Sequence, residues 1–206
     1  MLSPFCRLGF PKRKVNAQRI KSSPKGRGII SMAKNAVDKK LYLIAELDDE
    51  SQLVLKEFKK IISENGIIGK QTKDIPYHVT LCSFSPDLEE YLKVLLEEVS
   101  QKFKKVNIKC GSLGLFGLNV LFVNPDMNSG LIDLYNYVKE KSFEKDDDLA
   151  AHITLLIDEP ENILKILPKI VEKNKGITGR ICHVGLYEFF PRRFIKRIEL
   201  QGSTGK

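Results

Sequence analysis

Two short phrases constrain this chain more than any other feature. PYHVTLCSF runs from Pro76 to Phe84, and AAHITLLID from Ala150 to Asp158. Each sets a histidine, then a threonine two residues on, then a leucine, in a run of strand-forming residues. The chain has three histidines and five threonines. Two chance HxT matches would then be a roughly one-in-several-hundred coincidence. One HxT is a weak signal; the pair is a strong one.

The surroundings of the two phrases match as well. LYLIAEL (41–47) reads as an apolar strand. Asp48 and Asp49 are placed to cap a helix with Leu55, Phe58, Ile61 and Ile62 on its buried face, stopped by Asn65-Gly66. The first HxT strand follows. Ser85 and Pro86 then open a second helix with Leu88, Leu92, Leu95, Leu96 and Val99 inward. In the second half, VNIKCGSLGLFG and NVLFVNP read as two strands around a glycine-rich turn. A helix over about 129–141 buries Leu131, Leu134, Tyr135 and Val138. The second HxT strand is followed by a helix from Pro160, which Pro168 should kink. RICHVGLYEFF and RFIKRIEL, separated by a turn at Pro191, close the chain as a strand pair. Strand, helix, HxT strand, helix thus occurs twice. Two such units would form lobes related by an approximate two-fold axis, bringing the HxT strands together.

Charge points elsewhere until it is mapped. The net charge is +8, but residues 1–31 hold eight basic side chains and no acidic one. From Met32 onward 26 basic residues face 26 acidic ones. The expected domain, 32–206, is therefore neutral, and general affinity for nucleic acid would belong to the leader alone. That leader, 1–31, lacks a sustained apolar period and reads as disordered. Its composition fits a mitochondrial-type transit peptide or a nucleic-acid-binding arm. The third reading is upstream DNA read through to a start at Met32. Lys25-Gly26-Arg27-Gly28 can be encoded by G-rich purine codons, as a ribosome-binding site would be. A peptide from residues 1–31 in mass spectrometry of the endogenous protein would rule out this third reading. Four cysteines without CxxC spacing suit reduced thiols in a cytoplasmic setting, and no apolar run reaches a membrane span.

In a regular strand alternate residues share a face. His78, Thr80, Cys82 and Phe84 would line one face of the first strand, with Val79 and Leu81 opposite. In the second, His152 and Thr154 would oppose Ile153, Leu155 and Ile157. Two imidazoles facing each other across a groove make a general acid–base pair near neutral pH. One takes a proton from the attacking oxygen and the other protonates the leaving oxygen. Threonine hydroxyls one step along hold the non-bridging oxygens of a phosphate. The scheme needs neither a metal nor another cofactor.

His78-Val79-Thr80-Leu81 and His152-Ile153-Thr154-Leu155 resemble the paired HxTx signatures of the two-histidine phosphoesterase superfamily. The nearest resemblance is to its bacterial 2'-5' RNA ligase-like branch, which includes RNA 2',3'-cyclic phosphodiesterases. The likeness extends from about Lys40 to Leu200. It implies a bilobal α+β fold, with antiparallel sheets lining a central cleft and helices outside. It implies metal-independent cleavage or transfer at 2',3'-cyclic or 2'-5' phosphodiesters, on RNA ends or small nucleotides. Apart from the resemblance, the chain is expected to be a monomer. His78 and His152 would be catalytic and Thr80 and Thr154 phosphate-binding; which histidine is base stays open. For stacking on a nucleobase Tyr187 is the first candidate, followed by Tyr77 and Phe84. Arg192 and Arg193 are candidates for a further phosphate, Cys82 for lining the site, and His183 for a structural role. The alternative to an enzyme is an RNA- or nucleotide-binding module with the same cleft.

Overall fold

A computed structural model of the chain describes residues 39–70, 75–142, 150–189 and 192–201. The leader and the turn at Pro191 lie outside the described residues. Among the described residues seven strands and four helices follow the expected order: β1 (Lys40–Leu47), α1 (Asp49–Glu64), β2 (His78–Phe84), α2 (Glu89–Lys102), β3 (Val106–Phe116), β4 (Val120–Pro125), α3 (Ser129–Glu140), β5 (Ile153–Ile157), α4 (Pro160–Lys173), β6 (Ile177–Phe189) and β7 (Arg193–Glu199).

Local chemistry accounts for most boundaries. The Asp48 carboxylate caps α1 by accepting from the Ser51 N–H at 2.8 Å. Asn65 ends that helix, followed by Gly66 at a φ of 75°. Asn128 caps α3 through the Leu131 N–H. One boundary differs from expectation. Ser85 makes no side-chain cap bond, Pro86–Leu88 form a 3-10 turn, and α2 begins three residues late, at Glu89. Pro168 sits inside α4, which runs on to Lys173. No described helix is long and apolar enough to cross a membrane.

The strands form one antiparallel sheet in the order β2-β1-β6-β3-β4-β5, with β7 also on β6. The joint between the lobes is β6, which is 13 residues long. Its first residues, Ile177–Ile181, pair with β3, and 181–189 pair with β1. The two HxT strands end the order, yet β2 and β5 approach each other. The sheet therefore curls until its two extremes meet.

β1 shows which side of the sheet is which. Leu41, Leu43, Ala45 and Leu47 enter the main core, along with Leu55, Phe58, Leu92, Leu96, Leu131 and Ile166 from the helices. On the other face Ile44 joins Tyr187 and Phe189 in a small separate cluster, flanked by Tyr42. The helices cover the first face and the cleft opens on the second.

Candidate active site

His78 and Thr80 stand on the cleft face of β2, opposite Glu46 and Ile44 of β1. Thr154 stands on β5 opposite Phe122 of β4. Both histidines and both threonines are half-buried. Each imidazole is tied to the carbonyl two residues before it. His78 Nδ1 donates to Pro76 O at 2.6 Å, and His152 Nδ1 donates to Ala150 O at 2.7 Å. A carbonyl only accepts, so the proton sits on Nδ1 and Nε2 is left for chemistry. Burial drives the His78 imidazole down to about 4; the Pro76 carbonyl opposes this and the charge of His152 adds to it. The two rings thus sense each other, although they lie 74 residues apart in sequence.

After each threonine the strand breaks its alternation. Thr80 pairs with Ile44 but Cys82 with Leu43, so Leu81 is an extra residue without a partner on β1. Thr154 pairs with Phe122 but Leu156 with Leu121, which leaves Leu155 in the same position. These are β-bulges, and both halves run buried, half-buried, buried, buried, half-buried over Val79–Ser83 and Ile153–Ile157. This corrects the strand-parity expectation. Cys82 and Phe84 turn into the main core, 3% and 1% exposed, and do not line the cleft. Ile157 is half-buried, and Leu156 takes the inward position beside Leu155.

Aromatic rings surround both imidazoles. His152 meets the edges of Phe116 and Phe122 at ring-centroid separations of 4.8 and 5.4 Å. Phe122 has room because it pairs with Gly114, where a Cβ would come within 2.3 Å of the ring. His78 lies 6.3 Å from Phe189, which stacks on Tyr42 at 4.8 Å.

No protein-family model matches the chain, and no curated protein matches it by sequence. Solved structures do match. E. coli LigT complexed with NADP+ is 18% identical, with a TM-score of 0.53 over 79% of this chain and 98% of LigT. A crystal structure of a phosphoesterase is 17% identical, with a TM-score of 0.53 over 80% of this chain and 99% of that one. TT0787 of Thermus thermophilus is 16% identical, with a TM-score of 0.56 over the same shares. The chain has the two-histidine phosphoesterase fold.

Within the two-histidine fold the remaining candidates separate. Tyr187 is 5% exposed and its hydroxyl donates to Glu46 Oε1 at 3.0 Å, so it forms a wall of the cleft with little free face. Tyr77 is half-buried against the core, with burial pushing its phenol up to about 12. Arg192 is exposed at the β6–β7 turn. Arg193 is committed elsewhere: its guanidinium reaches Glu89 at 2.6 Å and Glu188 at 2.7 Å. That bridge links β7 to α2 and engages Nε and Nη2 of the guanidinium. His183 Nδ1 accepts from Arg197 Nη2 at 3.0 Å.

Sequence reasoning passed over Glu46, a charged residue in an apolar strand. It is 2% exposed and bonded to Tyr187 and to Arg197 Nε, the latter at 2.9 Å. Burial raises its pKa, opposed by Arg197 and Tyr187. The carboxylate lies over Gly185, where a Cβ would stand 2.5 Å from Glu46 Oε1 and 2.7 Å from Tyr187 Cε2. Two exposed aromatics were also passed over: Phe116, 42% exposed beside His152, and Phe194, 55% exposed and edge-on to Tyr187. Nothing local distinguishes them from core aromatics. Their exposure emerges only when the hairpins pack.

Proposed function

We propose that this chain is a metal-independent phosphodiesterase acting on 2',3'-cyclic phosphate or 2'-5' linked RNA ends and nucleotides. The observation that carries the reading is the matched pair of imidazoles, each bonded through Nδ1 to its i−2 carbonyl and each followed by a half-buried threonine. In this scheme His78, neutral across the neutral range, is the general base. Its Nε2 takes the proton of the attacking water as the oxygen–phosphorus bond forms. His152, protonated, donates to the departing 2' or 3' oxygen as its bond to phosphorus breaks. Burial, aided by the charge of His152, keeps His78 neutral and so suits it to the base's role. Thr80 and Thr154 donate to the non-bridging oxygens, where the transition state holds charge. The binding of NADP+ by LigT supports a nucleotide in the cleft, with Phe116 and Phe194 as open aromatic faces for bases.

Joining is the same path with a 5'-hydroxyl in place of water: His78 takes its proton as its oxygen bonds to the cyclic phosphorus, and His152 protonates the departing 3' oxygen, which leaves a 2'-5' linkage. The test is a panel of 2',3'-cyclic mononucleotides, cyclic-phosphate-ended RNA and 2'-5' dinucleotides, with EDTA present and products resolved by chromatography. Turnover that disappears in His78→Ala and His152→Ala supports the enzyme. Nucleotide binding without turnover on any substrate establishes the binding module in its place.

A further inference from the structure

We propose that Gln52 of α1 is a positioning residue for His78, fixing the tautomer and aim of its ring through the intervening peptide plane. The proposal rests on the functional reading of His78, but its chemistry stands on its own geometry.

The strand carrying His78 loses its neighbour at the point where the histidine begins. Glu46 pairs with His78, the next β1 residue, Leu47, has no partner on β2, and the chain then turns into α1. Tyr77 is left beyond the end of the β1–β2 ladder. The Gln52 carboxamide supplies the missing pairing: Oε1 accepts from Tyr77 N–H at 2.9 Å, and Nε2 donates to Tyr77 O at 2.8 Å. A single side chain one turn into the helix thus stands in for a strand, 25 residues away in sequence.

The consequence follows from peptide planarity. Tyr77 N–H and Pro76 C=O belong to one peptide unit and point in opposite directions. Gln52 holds the N–H side, and His78 Nδ1–H bonds the C=O side at 2.6 Å. The order Gln52 Oε1, Tyr77 N–H, Pro76 O, His78 Nδ1–H is a chain of two hydrogen bonds through one rigid plane. Each bond polarises the other. The Pro76 ring fixes φ on the far side of that plane. Rotating the plane would withdraw the carbonyl, free Nδ1 and let the proton redistribute between the ring nitrogens. The base would then no longer be confined to Nε2.

The test compares the full chain with Gln52→Met, which keeps the volume without the hydrogen bonds, and Gln52→Glu, which keeps an acceptor for Tyr77 N–H but has no donor for Tyr77 O. Glu46, Asp49, Lys56 and Lys59, which line the groove beside Gln52, are left in place. Ring nitrogen shifts of His78 are followed by NMR across pH, alongside kcat and KM. In Gln52→Met the ring should become a mixture of tautomers, with its titration displaced downward because the Pro76 carbonyl no longer supports the imidazolium. kcat should fall about tenfold, the scale typical of lost outer-shell support, with KM within twofold. Gln52→Glu should hold the Nδ1–H tautomer as the parent does. An unchanged His78 ring in Gln52→Met overturns the proposal, as does a Gln52→Glu ring that behaves like Gln52→Met. If the parent turns over no phosphodiester, the functional reading fails, and the NMR comparison still decides the role of Gln52.

Discussion

Leu81 and Leu155 occupy equivalent bulges, each the one residue after its threonine that finds no cross-strand partner. The extra residue ends the polar face of each HxT strand after two side chains. It then returns the strand to the core, with Cys82 and Phe84 on one side and Leu156 on the other. Both leucines are nearly inaccessible, at 3% and 2% exposed. Leu81→Ala and Leu155→Ala should each cost about 2–5 kcal/mol, read as a lower denaturant midpoint with an unchanged slope.

The four motif side chains should behave as a unit distinct from the rest of the cleft. His78→Ala and His152→Ala should each lower kcat on a 2',3'-cyclic phosphate by about 10²–10⁴-fold. Thr80→Val and Thr154→Val should lower it by roughly 10²-fold if each supplies one donor to the transition state. Circular dichroism checks that each variant is folded. A loss below tenfold in a folded histidine variant would remove that residue from the acid–base pair.

His78 also ties stability to pH. Its imidazole is held at about 4 in the folded chain, against an ordinary value of 6.5. Between those limits the unfolded chain binds the extra proton, so folding weakens as the pH falls from about 6.5 toward about 4. His78→Asn should remove this contribution, on the order of 1–2 kcal/mol. Thermal melts of both proteins at pH 7 and pH 5 measure it, and the variant should lose less on acidification than the parent.

Phe84 and Phe194 should part company in a substrate titration. Phe84→Ala empties a core position and should destabilise by about 3–5 kcal/mol, leaving KM unchanged at temperatures where the variant is folded. Phe194→Ala should leave the melting temperature within a few degrees and raise KM for substrates carrying a base, because its ring is exposed at the cleft wall. Arg193→Ala should leave KM unchanged, since its guanidinium is occupied by Glu89 and Glu188.

Gly185 is a test of the Glu46 network. A methyl group there would overlap the Glu46 carboxylate and the Tyr187 ring. Gly185→Ala should therefore cost about 1–3 kcal/mol through overpacking. Tyr187→Phe leaves Glu46 Oε1 without its hydroxyl partner and should cost about 1–3 kcal/mol. Denaturant titrations of the two variants and the double variant would show whether the costs overlap, as expected for side chains in contact.

The sequence alone carried what is local and repeated. Apolar periodicity placed all four helices and the strands between them, and the Asp48 and Asn65-Gly66 signals set the ends of α1. The duplicated HxT pointed to the two strands that the fold brings together. What it could not carry was register. Strict alternation put Phe84 and Cys82 in the cleft, because a bulge is visible only against the partner strand, where Leu81 faces no residue. In the same way Arg193 looked like a phosphate ligand until α2 brought Glu89 to it from 104 residues away. Glu46 acquires its partners only where β6 and β7 bring Tyr187 and Arg197 to β1, and Gln52 meets Tyr77 only where β1 leaves β2. Spacing along the chain determines which face a residue prefers and which helix it joins. The carbonyl that holds each imidazole is local, two residues before it, whereas tertiary structure decided that Arg193 meets Glu89 and Arg197 meets Glu46, since those partners are fixed by the folding of distant segments against one another.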